Sequence, residues 1–240
     1  WLMTSDATDR PIGDALDRAA APSHVGTFPQ NLSVRLTTDG RVFRTSDGKA
    51  SVYGTGHGDL VDSIRRAGVL REFRAQGGRI VWIANLDNLG ATVDPAILGA
   101  FLETRKRVMV EVVDKEAGDR GGIPVHAEGR LQVLEEFRLP VGFDAGRVRV
   151  FNTNTFLVDA EALETAAISW HWFEVHKTVE GRTAVQFERL LQELTAALPS
   201  AYLRVPRSGD TSRFLPVKDP EELERRRPAI EQVTRARGIL

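Results

Sequence analysis

The stretch from Arg79 to Asp94, RIVWIANLDNLGATVD, constrains the fold of this chain more than any other. Its first half, Ile80 to Ala84, is apolar and carries three β-branched residues (Ile80, Val81 and Ile83) between turn formers. That is the pattern of a strand buried on both faces of a parallel sheet. The run stops at Asn85-Leu86-Asp87-Asn88-Leu89-Gly90, two amides and a carboxylate, before an amphipathic segment resumes at Pro95. Polar groups at the carboxyl end of a buried strand are where open α/β sheets bind ligands. A lone carboxylate there, Asp87, suits a Mg2+ ion whose shell is completed by a ligand's phosphates. The competing reading of the same residues is an Asx turn, with Asn85 and Asp87 capping the next helix.

A chain of 240 residues holds one large α/β domain or two small ones. Its 32 Lys and Arg balance 33 Asp and Glu, so bulk charge gives no hold on nucleic acid, and any phosphate has to be gripped by local geometry. The absence of cysteine excludes disulfide frameworks and thiolate zinc sites. No apolar run approaches a membrane span and no secretory leader is visible, so no membrane partner is expected. The sequence opens on Trp1 rather than Met, and further residues are expected upstream of it.

Strand and helix alternate along the chain, which argues one parallel sheet wrapped by helices. Trp1 to Ser5 reads as a strand end, Asp6 to Ala20 as a capped helix, and Leu32 to Leu36 with Arg41 to Arg44 as a small hairpin or an irregular excursion around Asp39-Gly40. Gly54-Thr55-Gly56-His57-Gly58-Asp59 precedes a helix predicted to run to about Gln76. Its glycines either let backbone amides approach a ligand or form a tight loop with Asp59 as N-cap. Helix is predicted from Pro95 to Thr104, strand from Arg107 to Val113, an exposed loop from Asp114 to Gly122, and a hairpin around Glu128-Gly129. Asn152 and Asn154 interrupt a strand-like run, and buried amides need partners in backbone or ligand. Asp159 to Ala167 and Val185 to Ala197 are predicted helices, the second with Gln186 and Glu188 in its first turn. Arg225-Arg226-Arg227 reads as a solvated helix face, and His24, His126 and His171 as surface or hydrogen-bonded histidines.

Five segments then occur in one order and spacing: GHGD at 56–59, NLDNLGATVD at 85–94, FNTN at 151–154, Lys177 followed by AVQFE at 184–188, and RFLPVK at 213–218. Together they resemble the UTP–glucose-1-phosphate uridylyltransferase family, from the opening LMTS to Lys218. The resemblance implies an α/β, Rossmann-like nucleotide-diphospho-sugar transferase fold with a mostly parallel sheet flanked by helices. It implies a cytoplasmic enzyme that joins UTP and glucose 1-phosphate into UDP-glucose and pyrophosphate with Mg2+ as cofactor. Residues 1–218 would form the major part of the catalytic domain and 219–240 a C-terminal helix. By the same resemblance Gln30 contacts uracil, Gly56 and His57 meet the nucleotide and the sugar-side phosphate, and Asp87 serves nucleotide and magnesium. Asn85, Gly121, Gly122, Asn152, Asn154 and Glu188 would serve the sugar, and Lys177 would be the catalytic lysine. By the same resemblance GHGD would favour a hexose without an N-acetyl group.

Such a reaction needs two anions aligned and their charge neutralised, with little covalent participation by the protein. A lysine ammonium suits this because it stays charged and follows a moving phosphate with three donors. Three departures from the family pattern stand out. Its glycine-rich triphosphate loop would have its place upstream of Trp1, Arg120 stands where many members have lysine, and the C-terminal β-helical domain would have its place beyond Leu240. The alternatives are another UDP-sugar pyrophosphorylase and a non-catalytic sugar-nucleotide-binding domain.

Overall fold

Apolar β-branched runs bounded by glycine or polar turns set the strands of the computed structural model, which describes residues 1–119 and 121–240. Arg120, singled out above, lies outside the described residues. In chain order the strands are β1 (Leu2–Thr4), β2 (Thr27–Pro29), β3 (Leu32–Val34), β4 (Val52–Gly54), β5 (Ile80–Ile83) and β6 (Val108–Asp114), then β7 (Ile123–Ala127), β8 (Arg130–Leu134), β9 (Val150–Asp159), β10 (Phe173–Val179), β11 (Arg182–Glu188) and β12 (Ser200–Arg204). The helices are α1 (Asp9–Arg18), α2 (Leu60–Arg66), α3 (Val69–Ala75), α4 (Pro95–Thr104), α5 (Ala160–Thr165), α6 (Leu194–Ala197) and α7 (Pro220–Ala236). They form two units, Trp1–Gly78 with Ile168–Leu191, and Arg79–Ala167 with Gln192–Leu240.

The second unit is built on a four-stranded sheet in the order β12-β6-β9-β5. β12, β6 and β5 run in one direction, and β9 opposes them between β6 and β5. Three strands of four therefore share a direction, although two of the three neighbouring pairs are antiparallel. This corrects the reading of Ile80 to Ala84 as a strand buried in a parallel sheet. β5 ends the strand order, pairs antiparallel with β9, and buries Ile83 while Ile80, Val81 and Trp82 stay half-buried. The strand buried from Val108 to Val113 is β6; its Met109 and Val113 join a core with Ile97 and Phe101 of α4, Ile123 and Val125 of β7, and Phe151 and Leu157 of β9, while Val108, Val110 and Val112 are buried on its other face. Asp94 caps α4 by accepting from Ala96 N at 2.8 Å, so neither Asn85 nor Asp87 is the cap.

One charged residue interrupts β6. Glu111 is fully buried and takes a bidentate pair from Arg213, Nε to Oε2 and Nη2 to Oε1, both at 2.7 Å. Opposite it, β9 slips register between Glu111 and Val112, because Thr155 faces Glu111 while Asn152 faces Val112. Thr153 and Asn154 are the excess residues, and Asn154 adopts φ 58°. Bulges of this kind bend a strand and re-aim its side chains. After β12 the chain reaches α7, capped by Asp219, which accepts from Glu222 N at 2.7 Å. Arg237, at its other end, donates to Ser212 O at 2.8 Å and Gly90 O at 3.2 Å. Arg225 and Arg227 pair with Glu222 and Glu224 along an exposed face.

In the first unit β1 lies parallel to β2, and β3 with β4 and β10 with β11 form antiparallel pairs. Two expectations fail here. Val185 to Glu188 is strand rather than the start of the helix expected over Val185 to Ala197, since all seven residues of β11 pair with β10 and α-helix in this stretch is confined to Leu194–Ala197. Seven ladder pairs outweigh the weak helical preference of AVQFE. The helix predicted to reach Gln76 breaks in two at Gly68, which takes φ 74°. Asp59 does stand at the N-cap position of α2, but its side chain makes no capping bond and accepts from Asn31 N at 2.5 Å, Asn31 Nδ2 at 2.7 Å, Ser63 Oγ at 2.7 Å and the Arg189 guanidinium. Burial alone would raise the pKa of this carboxyl, but the bonds from Asn31 and Ser63 and the charge of Arg189 together hold it below the usual range.

The Glu111–Arg213 pair yields a stability prediction. Glu111→Ala would strand a buried guanidinium, and urea denaturation is expected to show a loss of about 3–5 kcal/mol. A loss within the ~1 kcal/mol typical of surface pairs would show that the pair does not hold the unit together.

Candidate active site

A cavity of about 160 Å³ lies in the second unit beyond the carboxyl end of β5. Six residues singled out from sequence line it, namely Asn85, Asp87, Gly121, Gly122, Asn152 and Asn154. Four polar residues that sequence reasoning did not assign line it too: Asn88, Glu135, Thr153 and Lys218. Phe151 and Phe214, in edge-to-face contact with centroids 5.3 Å apart, and Pro216 add apolar surface.

Each wall has a local cause. The loop after β5 is held by Asn88, a buried side chain whose Nδ2 donates to Arg213 O at 3.1 Å and whose Oδ1 accepts from Leu215 N at 2.8 Å and Gly90 N at 3.2 Å. Leu89 N donates to Leu215 O at 3.1 Å, and Val217 N to Asp87 O at 2.8 Å. The loop carrying Asp87 and the segment carrying Lys218 are thereby stitched side by side. The β9 bulge supplies the opposite wall, where Asn152 Nδ2 donates to Asn154 Oδ1 and Asn154 N to Asn152 Oδ1, each at 2.9 Å. Thr153 Oγ1 fixes the bulge by donating to Glu111 O at 2.9 Å. Gly122 packs so closely that a Cβ there would sit 2.5 Å from Val133 Cγ1, and its carbonyl accepts from Asn152 N at 2.8 Å. A side chain at this position would displace β8 and the cavity floor.

The cavity mixes charges. Lys218 is exposed at the rim, Asp87 is half-buried, and Glu135 follows the end of β8. Burial raises the Glu135 pKa; the hydrogen bond from Gln192 opposes this, the charge of Glu136 reinforces it, and a backbone bond at Gly122 opposes it, with a net rise. Among the described residues no three His, Cys, Asp or Glu converge into a metal cage. A cavity with Asp87 beside neutral amides nevertheless fits Mg2+ binding, which draws on one or two carboxylates and substrate phosphates rather than a protein cage. Lys218 stood inside the RFLPVK segment and was visible in principle. Glu135 carried no spacing signal.

The other sequence candidates, Gln30, Gly56, His57, Lys177 and Glu188, belong to the first unit. There Gly56 and His57 sit against the chain that follows β11. A Cβ on Gly56, at φ 85°, would lie 2.6 Å from Arg189 O and 3.0 Å from Glu188 Cβ. His57 Nδ1 accepts from Leu191 N at 3.0 Å, which leaves the proton on Nε2. Burial lowers the His57 pKa against the opposing charge of Glu188, so the ring is a neutral donor at neutral pH. Glu188 is oriented by Gln186 Nε2 at 2.6 Å, and Gln186 in turn by Arg35 Nε at 3.0 Å. Gln30 lies over Gly54, where an added Cβ would meet its amide at 2.3 Å. Lys177 stands exposed on β10 opposite Ala184.

Known proteins resemble this chain in sequence and in fold. The chain is 33% identical over 218 residues to the UTP–glucose-1-phosphate uridylyltransferase of Hordeum vulgare, covering 83% of this chain and 44% of that protein. It is 32% identical over 241 residues to the enzyme of Saccharomyces cerevisiae, covering 92% and 48%. The chain thus spans about half the length of the curated relatives it matches. The UDP-glucose phosphorylase of Trypanosoma brucei superposes with a TM-score of 0.78 at 24% identity, over 92% of this chain and 54% of that one. A UDP-glucose pyrophosphorylase mutant of Leishmania major in complex with UDP-glucose superposes with a TM-score of 0.77 at 23% identity, over 92% and 53%. These likenesses bear out the α/β fold expected from sequence. With its model matching residues 1–226 as well, the family expected from the five segments is the one to which this chain belongs, that of the UTP–glucose-1-phosphate uridylyltransferases.

Proposed function

We propose that this chain is part of an enzyme that forms UDP-glucose and pyrophosphate from UTP and glucose 1-phosphate. The observation that carries this reading is the convergence of Asn85, Asp87, Asn152 and Asn154 with Glu135 and Lys218 in one cavity. In the reaction a phosphate oxygen of the sugar attacks the α-phosphorus of UTP, the bond from that phosphorus to the bridging oxygen breaks, and pyrophosphate leaves with the electron pair. The protein's task is to align the two anions and offset their charge. Asp87 would hold Mg2+, which supplies charge neutralisation on the phosphates when bound.

The amides of Asn152 and Asn154 and the carboxylate of Glu135 suit the hydroxyls of a neutral hexose, because together they offer both donors and acceptors. Glu135 therefore takes the acceptor role beside Glu188, which came from the resemblance alone. Gln30 and the Gly56-His57 loop are assigned to the nucleotide, with His57 donating from Nε2. Two lysines are proposed for the reacting phosphates: Lys177, matched to the family's catalytic lysine, and Lys218, which lines the cavity.

Heat stability tests the ligand assignment. UDP-glucose is expected to raise the melting temperature of the protein more than ADP-glucose or GDP-mannose does, because only a ligand selective for the native state shifts it. Equal shifts with all three would remove the uridine assignment.

The lysine roles separate kinetically. In the full-length protein Lys177→Ala and Lys218→Ala are each expected to lower turnover about a hundredfold or more, the cost of one transition-state contact, with a smaller change in UDP-glucose affinity. Weakened affinity with an unchanged maximal rate would make the substituted lysine a binding residue.

A further inference from the structure

Glu135 is held from behind the cavity wall by a residue outside every motif recognised in the sequence. Gln192, in the 3-10 turn Leu191–Glu193, is 1% exposed, and its Nε2 donates to Glu135 Oε1. The turn is anchored on the strand that leads to Glu135. Thr195 Oγ1 donates to Gln192 O at 2.7 Å and accepts from Val133 N at 2.9 Å. Gln192 Oε1 is buried and has no hydrogen-bond partner among the described residues. An unmet buried carbonyl is destabilising, and a methionine of similar shape would avoid it. Packing does not explain a glutamine here; the bond to Glu135 does.

We propose that Gln192 is a positioning residue for Glu135: its amide occupies one carboxylate oxygen and leaves the other as an acceptor for the ligand's hydroxyls. This rests on the reading of the cavity as a sugar site. The charged groups around Glu135 make the role consequential. Glu136, adjacent in sequence, is paired with Lys115 at 2.8 Å, and Glu193 of the Gln192 turn is paired with Arg138 at 3.3 Å. Asp87 and Lys218 line the same cavity. Burial and the charge of Glu136 both favour the protonated form of Glu135, and Gln192 is a side chain that opposes them. A protonated Glu135 would present a donor where the hexose needs an acceptor.

The test is a carbon-detected NMR titration of the Glu135 carboxyl in wild-type protein and in Gln192→Met, which needs no ligand. The midpoint is expected to be higher in the variant, because a hydrogen bond to the charged form is lost, while the melting temperature stays level or rises. Affinity for UDP-glucose should then fall with decreasing pH at a higher pH than in the wild type, and affinity for UDP should not change. Gln192→Leu serves as a second variant if Gln192→Met does not fold. An unmoved midpoint, or a proportionate loss of UDP and UDP-glucose affinity together with a lowered melting temperature, would reduce Gln192 to packing and overturn the proposal. A wild type that binds UDP-glucose no better than UDP would overturn the sugar reading of the cavity, and the ligand-free titration tells that failure from the other.

Discussion

Much of the second unit's cavity depends on one buried ion pair. Glu111 stands in the middle of β6 between Val110 and Val112, all three essentially removed from solvent. An ionised carboxylate there is tolerable only if a cation comes to it with its hydrogen bonds in place. Arg213 does so with both arms of its fork, which fixes the direction of its side chain as well as its distance. Its Nη2 also donates to Thr92 O at 2.9 Å. The backbone of Arg213 therefore has little freedom, and the Asn88 bonds to Arg213 O and Leu215 N carry that order into the loop after β5. The relative placement of Asp87 and Lys218 follows from this chain of contacts. A hydrophobic pair would have filled the same volume, but it would not have fixed the register of residues 213–218 against the loop.

The register slip between β6 and β9 begins at the same glutamate. Glu111 O accepts from Thr153 Oγ1 at 2.9 Å, so the residue whose side chain anchors one wall of the cavity also ties down the bulge that forms the other. In an unbroken ladder Asn152 and Asn154 would have pointed to the same face as ordinary alternate residues. The bulge instead places Asn154 in the left-handed region and lets the two amides bond to each other. Asparagine tolerates that conformation better than most residues, because its short polar side chain bonds locally. A polar pair inside an apolar strand is thus satisfied without ligand and held in place to meet one.

What could be read from sequence follows from how local each cause is. Ile80 to Ile83, Arg107 to Val113 and the FNTN run announce strands through β-branched composition, and Pro95 to Thr104 announces a helix through Asp94 and Pro95. The loop beyond β5 was legible as a site because polar residues ended an apolar run abruptly. AVQFE was misread because five residues hold too little periodicity to tell helix from strand, and the deciding partner, β10, is a hairpin neighbour fixed by turn geometry at Glu180-Gly181. Glu111 went unmarked inside a valine-rich run, and nothing local distinguishes its partner Arg213 from the other arginines. Glu135 and Gln192 were invisible for the same reason: they meet across 57 residues of chain.

The balance of charge in the site follows from that of the chain. A protein with a formal net charge of −1 cannot draw two anionic substrates together by its overall field. On the proposed reading the positive groups are few and local, Lys177 and Lys218, and the two cavity carboxylates have separate tasks. Asp87 would serve a cation that the phosphates themselves bring into range, and Glu135 would serve uncharged hydroxyls. On the same proposed reading His57 would meet the nucleotide as a neutral donor, since Leu191 N–H occupies Nδ1 and burial disfavours a second proton. That arrangement limits the fixed positive charge to where it moves with the reacting phosphate. A permanently cationic histidine would hold the nucleotide diphosphate equally well before and after transfer, and such uniform binding raises affinity without raising turnover.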